Sequence, residues 1–296
     1  MSHEPGRPLS HTSSRTLTGC LAPAKLNLFL HVVGRRADGF HLLQTVFQLL
    51  DFGDSLDFSV REDGRIHRIT GLAGVPEDAD LVIRAARLLQ ETSGSPLGAD
   101  ISLHKRLPMG GGLGGGSSDA ATTLIALNHL WQTGLSRSQL MQLGLRLGAD
   151  VPFFIFGQNA FAEGVGELLS PVDTPEAWFV VVEPGVPVST PIIFRSQELT
   201  RDTEMVTIAD FSRAPTSFGR NDLQAVVTGM FAPVAEALEA LGRFGEARMT
   251  GSGSCVFCAF ETEGAADQAV AALSGAWRAW KARGMNRHPM SQLLES

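Results

Sequence analysis

Pro108-Met109-Gly110-Gly111-Gly112-Leu113-Gly114-Gly115-Gly116-Ser117-Ser118-Asp119 contains six glycines in seven consecutive residues. Glycine has no Cβ, so such a backbone can adopt positive φ angles and approach a ligand closely. Ser117, Ser118 and Asp119 are typical N-cap residues, and the apolar periodicity of residues 120–131 predicts a helix directly after them. A glycine loop that leads into a helix offers free N–H groups and the positive end of the helix dipole, which suits a phosphate.

Length and composition indicate a globular protein with two domains. The 296 residues are enough to bury a large core, and apolar residues make up 44% of them. A net charge of -7 argues against a general nucleic-acid or anionic membrane surface. No apolar run reaches the roughly 18–20 residues that span a bilayer. We therefore expect neither a nucleic acid nor a membrane as a partner.

The N-terminus and the cysteines favour a cytoplasmic protein. Residues 1–20 lack an apolar h-region, so we expect a polar tail rather than a signal peptide. Three cysteines cannot form a disulfide framework, and Cys255 and Cys258 lie in a strand-like run over residues 255–260. We expect buried thiols there rather than redox or metal chemistry, in a reducing compartment.

Residues 23–33 alternate between two faces and predict a half-buried strand. Lys25 and Asn27 lie side by side on the face opposite the leucines, together with Phe29 and His31. Only three of the 24 cationic residues are lysines, so a lysine at position 25 suggests a need for a compact point charge. From the residues alone, a solvated outer face and a functional pair both stay open.

The rest of the first half shows clear local signals. Asp80 and Gly94 are the expected cap and stop of a helix over 80–91, and Ser136 with Gln139 forms a capping box for a helix that ends at Gly148. The other elements that we expect are a polar turn over 34–39, an extended run over 40–58 interrupted at 51–54, and a strand over 101–107.

Asp150 lies between the end of that second helix and an apolar run, in Gly148-Ala149-Asp150-Val151-Pro152-Phe153-Phe154. We interpret the apolar run as a strand, with Pro152 fixing the turn before it. An aspartate in such a place is often only a cap or turn residue. The residues alone leave that role and a functional role open.

The pattern restarts beyond residue 175 and completes an α+β chain. We expect a strand over 178–183, largely helical structure over 221–241, a small-residue loop over 250–254 that leads into a strand, and a final helix over 265–276. The predicted organisation is a tail over 1–20, an N-terminal domain over 21–172 and a C-terminal domain over 173–290.

Two familiar phosphate loops do not fit the glycine stretch. A Walker A loop needs a lysine immediately before its Ser or Thr, and Gly116 occupies that position before Ser117. A Rossmann loop needs an acidic residue about 20 positions further on, and residues 134–140 contain neither Asp nor Glu. A dinucleotide oxidoreductase, which would use a Rossmann loop, is therefore a distant alternative. The motifs of zinc hydrolases and acyl-transfer enzymes are also missing.

The glycine stretch instead resembles the loop of the small-molecule kinases that include galactokinase, homoserine kinase and mevalonate kinase, the GHMP family. The resemblance covers roughly residues 22–285 and extends to four further stretches: Pro23-Ala24-Lys25-Leu26-Asn27-Leu28, Asp38-Gly39-Phe40-His41-Leu42-Leu43-Gln44-Thr45, Gly148-Ala149-Asp150-Val151-Pro152-Phe153 and Thr250-Gly251-Ser252-Gly253-Ser254-Cys255-Val256-Phe257. It implies a two-domain GHMP-kinase-like fold with the active site in the cleft between the domains.

The resemblance implies that Lys25 and Asp150 form a catalytic pair, in which Asp150 accepts the proton of the attacking hydroxyl group and Lys25 orients it. Phosphoryl transfer depends mainly on positioning and electrostatics, which such a pair can supply. ATP and Mg²⁺ are the implied cofactors, with no ligand assigned to the metal. The residues implied for ATP are Lys105, Pro108, Met109, Gly110, Gly111, Gly112, Leu113, Gly114, Gly115, Gly116, Ser117 and Ser118.

Within the family, the match is strongest to a branch that acts on a cytidine diphosphate-linked polyol phosphate in isoprenoid precursor synthesis. The residues implied for this substrate are Asn27, Phe40, His41, Thr190 and Phe194. The branch usually has Tyr at position 40, but stacking on cytosine needs only an aromatic face, so Phe40 retains it. Two alternative functions stay open: a homoserine- or mevalonate-type kinase, and a non-catalytic nucleotide-binding regulator. The oligomeric state also stays open between a monomer and a homodimer.

Overall fold

Two long antiparallel strands form the centre of the fold in this computed structural model, which describes residues 15–71 and 74–294. Strand β1 (Thr16–Arg35) pairs with β2 (His41–Arg61) over most of its length. The predicted strand over 23–33 is therefore confirmed, but both of its faces are buried, so it is not half-buried. The segment assigned to a tail also ends earlier than expected, because β1 begins at Thr16; residues 1–14 lie outside the described part.

The predicted interruption at residues 51–54 is wrong, since β2 runs through it. Gly53 allows the close approach of the two strands, because a Cβ there would lie 2.0 Å from the carbonyl oxygen of Ala22. Asp54 stays in the strand because its buried carboxylate accepts hydrogen bonds from the N–H groups of Arg106 and Leu107. Asp54 thus makes a tertiary contact with residues 106 and 107 and does not mark a turn.

The opposite edge of β2 pairs in turn with three other strands. These are β4 (Gly98–His104), β5 (Ala160–Glu163) and β10 (Arg278–Met285). Short strands β3 (Ile66–Arg68) and β6 (Leu168–Pro171) extend the sheet beyond β4 and β5. The sheet continues from β10 through β7 (Trp178–Glu183) and β9 (Val256–Phe260) to β8 (Arg248–Met249).

Four helices of the first half pack beside this sheet: α1 (Leu81–Ser93), α2 (Gly115–Leu130), α3 (Arg137–Leu147) and α4 (Val151–Phe156). The caps predicted for α1 and α3 are confirmed, with Asp80 and the Ser136 capping box in place. Helix α2 begins at Gly115 rather than after Asp119, and Gly114 in the left-handed conformation precedes it. The apolar run after Asp150 is helix α4 and not a strand, because Pro152 suits a first helical turn.

The second half contains five helices in the described residues: α5 (Thr190–Arg195), α6 (Ile208–Phe211), α7 (Gln224–Met230), α8 (Ala232–Gly242) and α9 (Glu263–Leu273). The predicted helical segment over 221–241 breaks at Phe231, where α7 and α8 meet at 118°. No single helix of the described chain is long and apolar enough to cross a membrane. The bent pair α7 and α8 reaches the required length and apolar composition only when the two helices are taken together. Cys255 and Cys258 are buried and free, as predicted.

Three clusters of buried side chains make up the core. One belongs to the first half and Met290, a second mainly to residues beyond 180, and a third takes residues from both halves, among them Phe29, Phe161, Phe179 and Phe257. The chain is thus an α+β protein with a mixed sheet, as expected. The division at residues 172 and 173 remains our proposal.

Candidate active site

Three adjoining cavities follow one another along the glycine stretch and the start of β2. A loop cavity of about 400 Å³ is lined by Lys105 and residues 108–117. A central cavity of about 360 Å³ shares Gly110, Gly112, Gly114 and Ser117 with it and adds Lys25 and Asp150. An outer cavity of about 610 Å³ shares Thr190 and Phe194 with the central one. Two ligands that enter from opposite ends would therefore meet at Lys25 and Asp150.

Lys25 and Asp150 come together in the central cavity although they are far apart in the sequence. The Lys25 Nζ lies 3.7 Å from Asp150 Oδ2 and donates a hydrogen bond of 2.6 Å to Asn27 Oδ1. Strand β1 places Lys25 and Asn27 on one face, and the turn between α3 and α4 places Asp150 opposite them. The Asn27 amide therefore holds the ammonium group within ion-pair distance of the Asp150 carboxylate.

The environment of the two charges differs. The Lys25 side chain is only 4% exposed, and burial lowers its pKa, although Asp150 acts in the opposite direction. The Asp150 side chain is 36% exposed and faces the cavity. The site therefore holds a partly desolvated cation beside a carboxylate that a substrate hydroxyl group can reach.

The glycines of the loop are required where other backbone comes close. A Cβ on Gly112 would lie 2.2 Å from the carbonyl oxygen of Thr250, and one on Gly114 would lie 2.9 Å from the Phe154 ring and 3.1 Å from the Lys25 side chain. Both residues also have φ above +70°. The Lys25 N–H donates to the Leu113 carbonyl at 3.0 Å, which ties the loop to β1. The loop is thus shaped by its neighbours as much as by any ligand.

The small-residue loop over 250–254 closes the other side of Lys25. Thr250 Oγ1 accepts a hydrogen bond of 2.9 Å from the Asn27 N–H. Asn221 donates to the carbonyls of Met249 and Gly251, each at 2.8 Å, and Thr190 and Ser252 share a hydrogen bond of 2.6 Å. The loop over 250–254 therefore holds the backbone of Asn27 through Thr250. The same loop contacts Thr190 through Ser252.

Lys105 lies in the loop cavity but is not a free positive charge. Its Nζ donates to Asp54 and also to Asp119 Oδ2 at 2.8 Å. Burial raises the pKa of Asp119, and the nearby Asp54 adds to this while Lys105 opposes it. Contact of Lys105 with the nucleotide, which the resemblance implies, stays a prediction; in the structure its ammonium group lies between two carboxylates.

The first turn of α2 has N–H groups without a helical partner at the edge of the loop cavity. Because α2 begins at Gly115, the N–H groups of Gly115, Gly116 and Ser117 have no partner within the helix. The Ser118 N–H, by contrast, donates to the Gly114 carbonyl at 2.8 Å, and the Ser118 side chain is fully buried and lines none of the three cavities. Ser117 therefore lines the loop and central cavities, whereas the Ser118 side chain does not.

The outer cavity brings together most of the residues expected to bind a cytidine. The rings of His41 and Phe194 are in contact in a tilted arrangement, with centroids 4.9 Å apart and an interplanar angle of 31°. Phe40 lines the same cavity but is 62% exposed. Thr190 lies at the boundary with the central cavity, and Asn27 lies within the central one. A flat ring could enter between the exposed Phe40 and the His41–Phe194 pair.

Sequence reasoning missed the side chains that support the site. Asp54 was assigned to an interruption, Thr250 was noted only as part of a small-residue loop, and Arg201 lay in a stretch that gave no signal. Arg201 donates from Nε to His41 Nε2 at 3.1 Å. No group of three or more His, Cys, Asp or Glu side chains in residues 15–71 and 74–294 could hold a metal ion alone.

Comparison with known proteins is consistent with this geometry. Residues 80–158 match the GHMP kinases N terminal domain, and residues 207–279 match the GHMP kinases C terminal. A 4-diphosphocytidyl-2-C-methyl-D-erythritol kinase of Herminiimonas arsenicoxydans is 66% identical over 282 residues, which are 94% of this chain and 99% of the relative. A crystal structure of a 4-(cytidine 5'-diphospho)-2C-methyl-D-erythritol kinase has a TM-score of 0.78 at 36% identity and covers 89% of this chain and 98% of its own.

Fold, cavities and family matches together define a GHMP kinase, an ATP-dependent small-molecule kinase. Within that class, the chain belongs to the family of 4-diphosphocytidyl-2-C-methyl-D-erythritol kinases. The resemblance drawn from the glycine stretch is confirmed. A homoserine kinase from Cytophaga hutchinsonii shares only the fold, with a TM-score of 0.68 at 16% identity over 95% of this chain and 98% of that one, so the homoserine-type alternative is not favoured.

Proposed function

We propose that the chain transfers the γ-phosphoryl group of ATP to the 2-hydroxyl group of 4-diphosphocytidyl-2-C-methyl-D-erythritol. The products are the 2-phosphate and ADP, in the non-mevalonate route to isoprenoid precursors. The observation that carries the proposal is the meeting of Lys25 and Asp150 between a phosphate-facing cavity and an aromatic one. The identity of 66% to a relative that bears this name supports the choice of substrate.

In this proposal the substrate oxygen forms a bond to the γ-phosphorus while the bond from that phosphorus to the β–γ bridging oxygen breaks. ADP leaves with the electron pair, and Asp150 accepts the proton of the hydroxyl group. Lys25 keeps the carboxylate oriented and opposes the negative charge that develops on the transferring group. Asn27 holds the Lys25 ammonium group in place through its hydrogen bond of 2.6 Å.

The loop cavity would hold the ATP phosphates against the backbone of residues 108–117. The free N–H groups of the first turn of α2 would face these phosphates. Lys105 would support the loop from below through Asp54 and Asp119. We expect Mg²⁺ to enter with ATP, because this ion commonly takes phosphate oxygens and water with only one or two protein carboxylates. The Asp150 carboxylate and the Ser117 hydroxyl group both line the central cavity and are candidate protein oxygens for this ion.

The outer cavity would hold the cytidine end, with the base against Phe40, His41 and Phe194. Thr190 and Asn27 would contact the part of the substrate that leads to the reacting hydroxyl group. All the residues named in this site come from one chain, so a monomer and a homodimer both suit the proposal. We place the enzyme in the cytoplasm, where its nucleotide substrates occur.

Measurement of ADP release tests the assignment. The cytidine diphosphate-linked substrate is compared with homoserine and with mevalonate, each with ATP and Mg²⁺. We expect turnover with the first substrate and none above background with the other two. Turnover with homoserine or mevalonate but not with the first substrate would overturn the assignment and favour another GHMP kinase activity.

A further inference from the structure

Arg201 contacts a residue of the outer cavity, His41, from a segment outside the predicted site. Its Nε donates to His41 Nε2 at 3.1 Å. Three of its other four N–H groups donate to backbone carbonyls, that of Leu199 at 2.9 Å, that of Phe194 at 3.1 Å and that of Ser196 at 2.6 Å. The guanidinium group is therefore fixed by the backbone around Phe194, and it holds the edge of the His41 ring from a fixed position.

The chemistry of this contact determines where the imidazole proton lies. A guanidinium group has only donors and stays charged at all relevant pH values. His41 Nε2 must therefore accept, and a neutral imidazole that accepts at Nε2 carries its proton at Nδ1. Contact with the tilted Phe194 ring, 4.9 Å away between centroids, restricts the orientation of the imidazole. The ring thus presents an Nδ1–H donor.

The surrounding charges keep the imidazole neutral. Burial lowers the pKa of His41, and the positive charges of Arg201 and Arg35 lower it further. Asp38 and Arg195 are the other charged side chains that line the outer cavity. A second proton on Nε2 would also point at the guanidinium group, so the protonated ring is disfavoured by geometry as well as by charge.

We propose that Arg201 is a positioning residue for base selection: it locks His41 in the Nδ1–H tautomer, which suits the acceptor at ring position 3 of cytosine and disfavours the N–H at that position of uracil. The proposal rests on the proposed function, because it assumes that a pyrimidine base lies beside His41. A histidine free to exchange its tautomers could satisfy either base. Sites that leave a buried polar group unpaired reject the wrong ligand strongly, so a locked donor gives selectivity that stacking alone does not.

Two variants separate the lock from a merely structural role. Arg201→Lys keeps a group that can only donate, whereas Arg201→Gln introduces an amide that can donate or accept. Long-range proton–nitrogen correlation spectra of the ligand-free proteins report the His41 tautomer, and His41→Asn identifies its signals. We expect the Nδ1–H tautomer in the unsubstituted protein and in Arg201→Lys, and a mixture or the Nε2–H tautomer in Arg201→Gln.

Turnover gives the second readout. We compare kcat/KM for the cytidine diphosphate-linked substrate with that for its uridine counterpart. We expect Arg201→Gln to reduce the cytidine-to-uridine ratio by roughly 10-fold or more, mainly through a higher KM for the cytidine substrate, and Arg201→Lys to retain most of it. Absence of turnover by the unsubstituted protein would instead count against the proposed function, while the spectra would still decide the tautomer.

Two outcomes would overturn the inference. One is a His41 ring that carries its proton at Nε2 in the unsubstituted protein, which needs no variant to fold. The other is identical behaviour of Arg201→Lys and Arg201→Gln in both spectra and selectivity, which would assign Arg201 to support of the three carbonyls alone.

Discussion

Lys25, the proposed partner of Asp150 in catalysis, is a buried charge with incomplete compensation. An ammonium group that is almost fully buried loses most of its hydration, and the partner carboxylate of Asp150 lies 3.7 Å away and is partly hydrated. The compensation is therefore incomplete, in agreement with the direction of the Lys25 pKa. In our proposal this charge lies where the phosphoryl group is transferred, which gives a reason for a lysine in the core.

Replacement of this charge should separate activity from folding. We expect Lys25→Met to lower kcat at least about 100-fold, because a preorganised charge at the reacting group is lost. The free energy of unfolding should change by less than about 1 kcal/mol, since relief of the buried charge offsets the hydrogen bond lost by Asn27. Urea unfolding and ADP release measure the two effects.

Lys281→Met is the matched control, since that lysine is more exposed and pairs with Glu263 and Asp267 away from the site. It should leave kcat unchanged. A loss of stability above about 3 kcal/mol in Lys25→Met would mean that the ammonium group is mainly structural.

Asp150 allows a test of the proton acceptor. Asp150→Asn keeps the size and polarity of the side chain but removes its basicity, so we expect kcat to fall by about 10²–10⁴-fold while the dissociation constant for ATP changes little. Single-turnover measurements and titration with ATP give the two quantities. An unchanged kcat would exclude Asp150 as the base.

His288 makes stability depend on pH. Its Nδ1 accepts a hydrogen bond from the Met290 N–H, and burial lowers its pKa from 6.5 to about 4. The unfolded chain therefore binds more protons than the folded one between these values, and stability is lost as pH falls through 6.5. We expect His288 to account for a loss of about 2 kcal/mol between pH 7.5 and pH 5.

His288→Asn provides the comparison, because an Asn oxygen can accept the same hydrogen bond but does not titrate. Urea unfolding at the two pH values should show a smaller pH dependence in this variant by about the same 2 kcal/mol. Equal pH dependence in both proteins would mean that the imidazole is protonated without penalty in the fold.

At the level of elements, the glycine stretch offers a pair of matched positions. Gly110 and Gly112 both have φ above +70°, but a Cβ on Gly110 meets nothing within 4 Å, whereas one on Gly112 meets the Thr250 carbonyl oxygen at 2.2 Å. We expect Gly110→Ala to cost about 1 kcal/mol of stability for the φ angle alone.

Gly112→Ala should cost more than Gly110→Ala by about 2 kcal/mol or more and should raise the KM for ATP, because the loop over 250–254 must move. Thermal unfolding and steady-state kinetics on the two variants test this. Equal effects at the two positions would show that the close approach at Gly112 is not needed.

The elements also show which signals the sequence carries. Helix α1 and the capping box of α3 follow from local residues, and both were predicted with nearly correct ends. The start of α2 and the helical state of α4 were missed, since glycines adopted helical angles under tertiary contacts and Pro152 suits a helix start as well as a turn. Strand β10 was not predicted because its partners are distant in the sequence.

The site divides in the same way. The pairing of Lys25 with Asn27 followed from alternation along one strand, whereas its pairing with Asp150 was implied only by resemblance to a kinase family. Contacts that bind distant segments, such as that of Arg201 with His41 or of Lys105 with Asp54, leave no periodic trace in the chain. The sequence thus indicates the candidate reactive residues better than the distant residues that hold them in position.

At the scale of the whole molecule, the two halves share structure. One sheet passes through both, and the third core cluster contains Phe29 and Phe161 together with Phe179 and Phe257. A core that takes side chains from both halves couples their unfolding. The central cavity lies where the two halves meet, so its geometry depends on that coupling.

We therefore expect one cooperative thermal transition rather than two. Calorimetric and van't Hoff enthalpies should agree, and ATP should raise the temperature of the whole transition. Two resolved transitions, with only the first sensitive to ATP, would show that the halves fold as independent units.

Strand β10 has a consequence for biosynthesis. It occupies the place between β2 and β7, yet it follows both of them, and every other strand of the described residues, in the chain. The nascent chain must therefore carry both flanking edges unpaired until residues 278–285 have been made, and unpaired edges invite association with other chains. Translation that stalls shortly before residue 278 would leave a chain that contains every proposed catalytic residue but lacks the strand that joins β2 to β7.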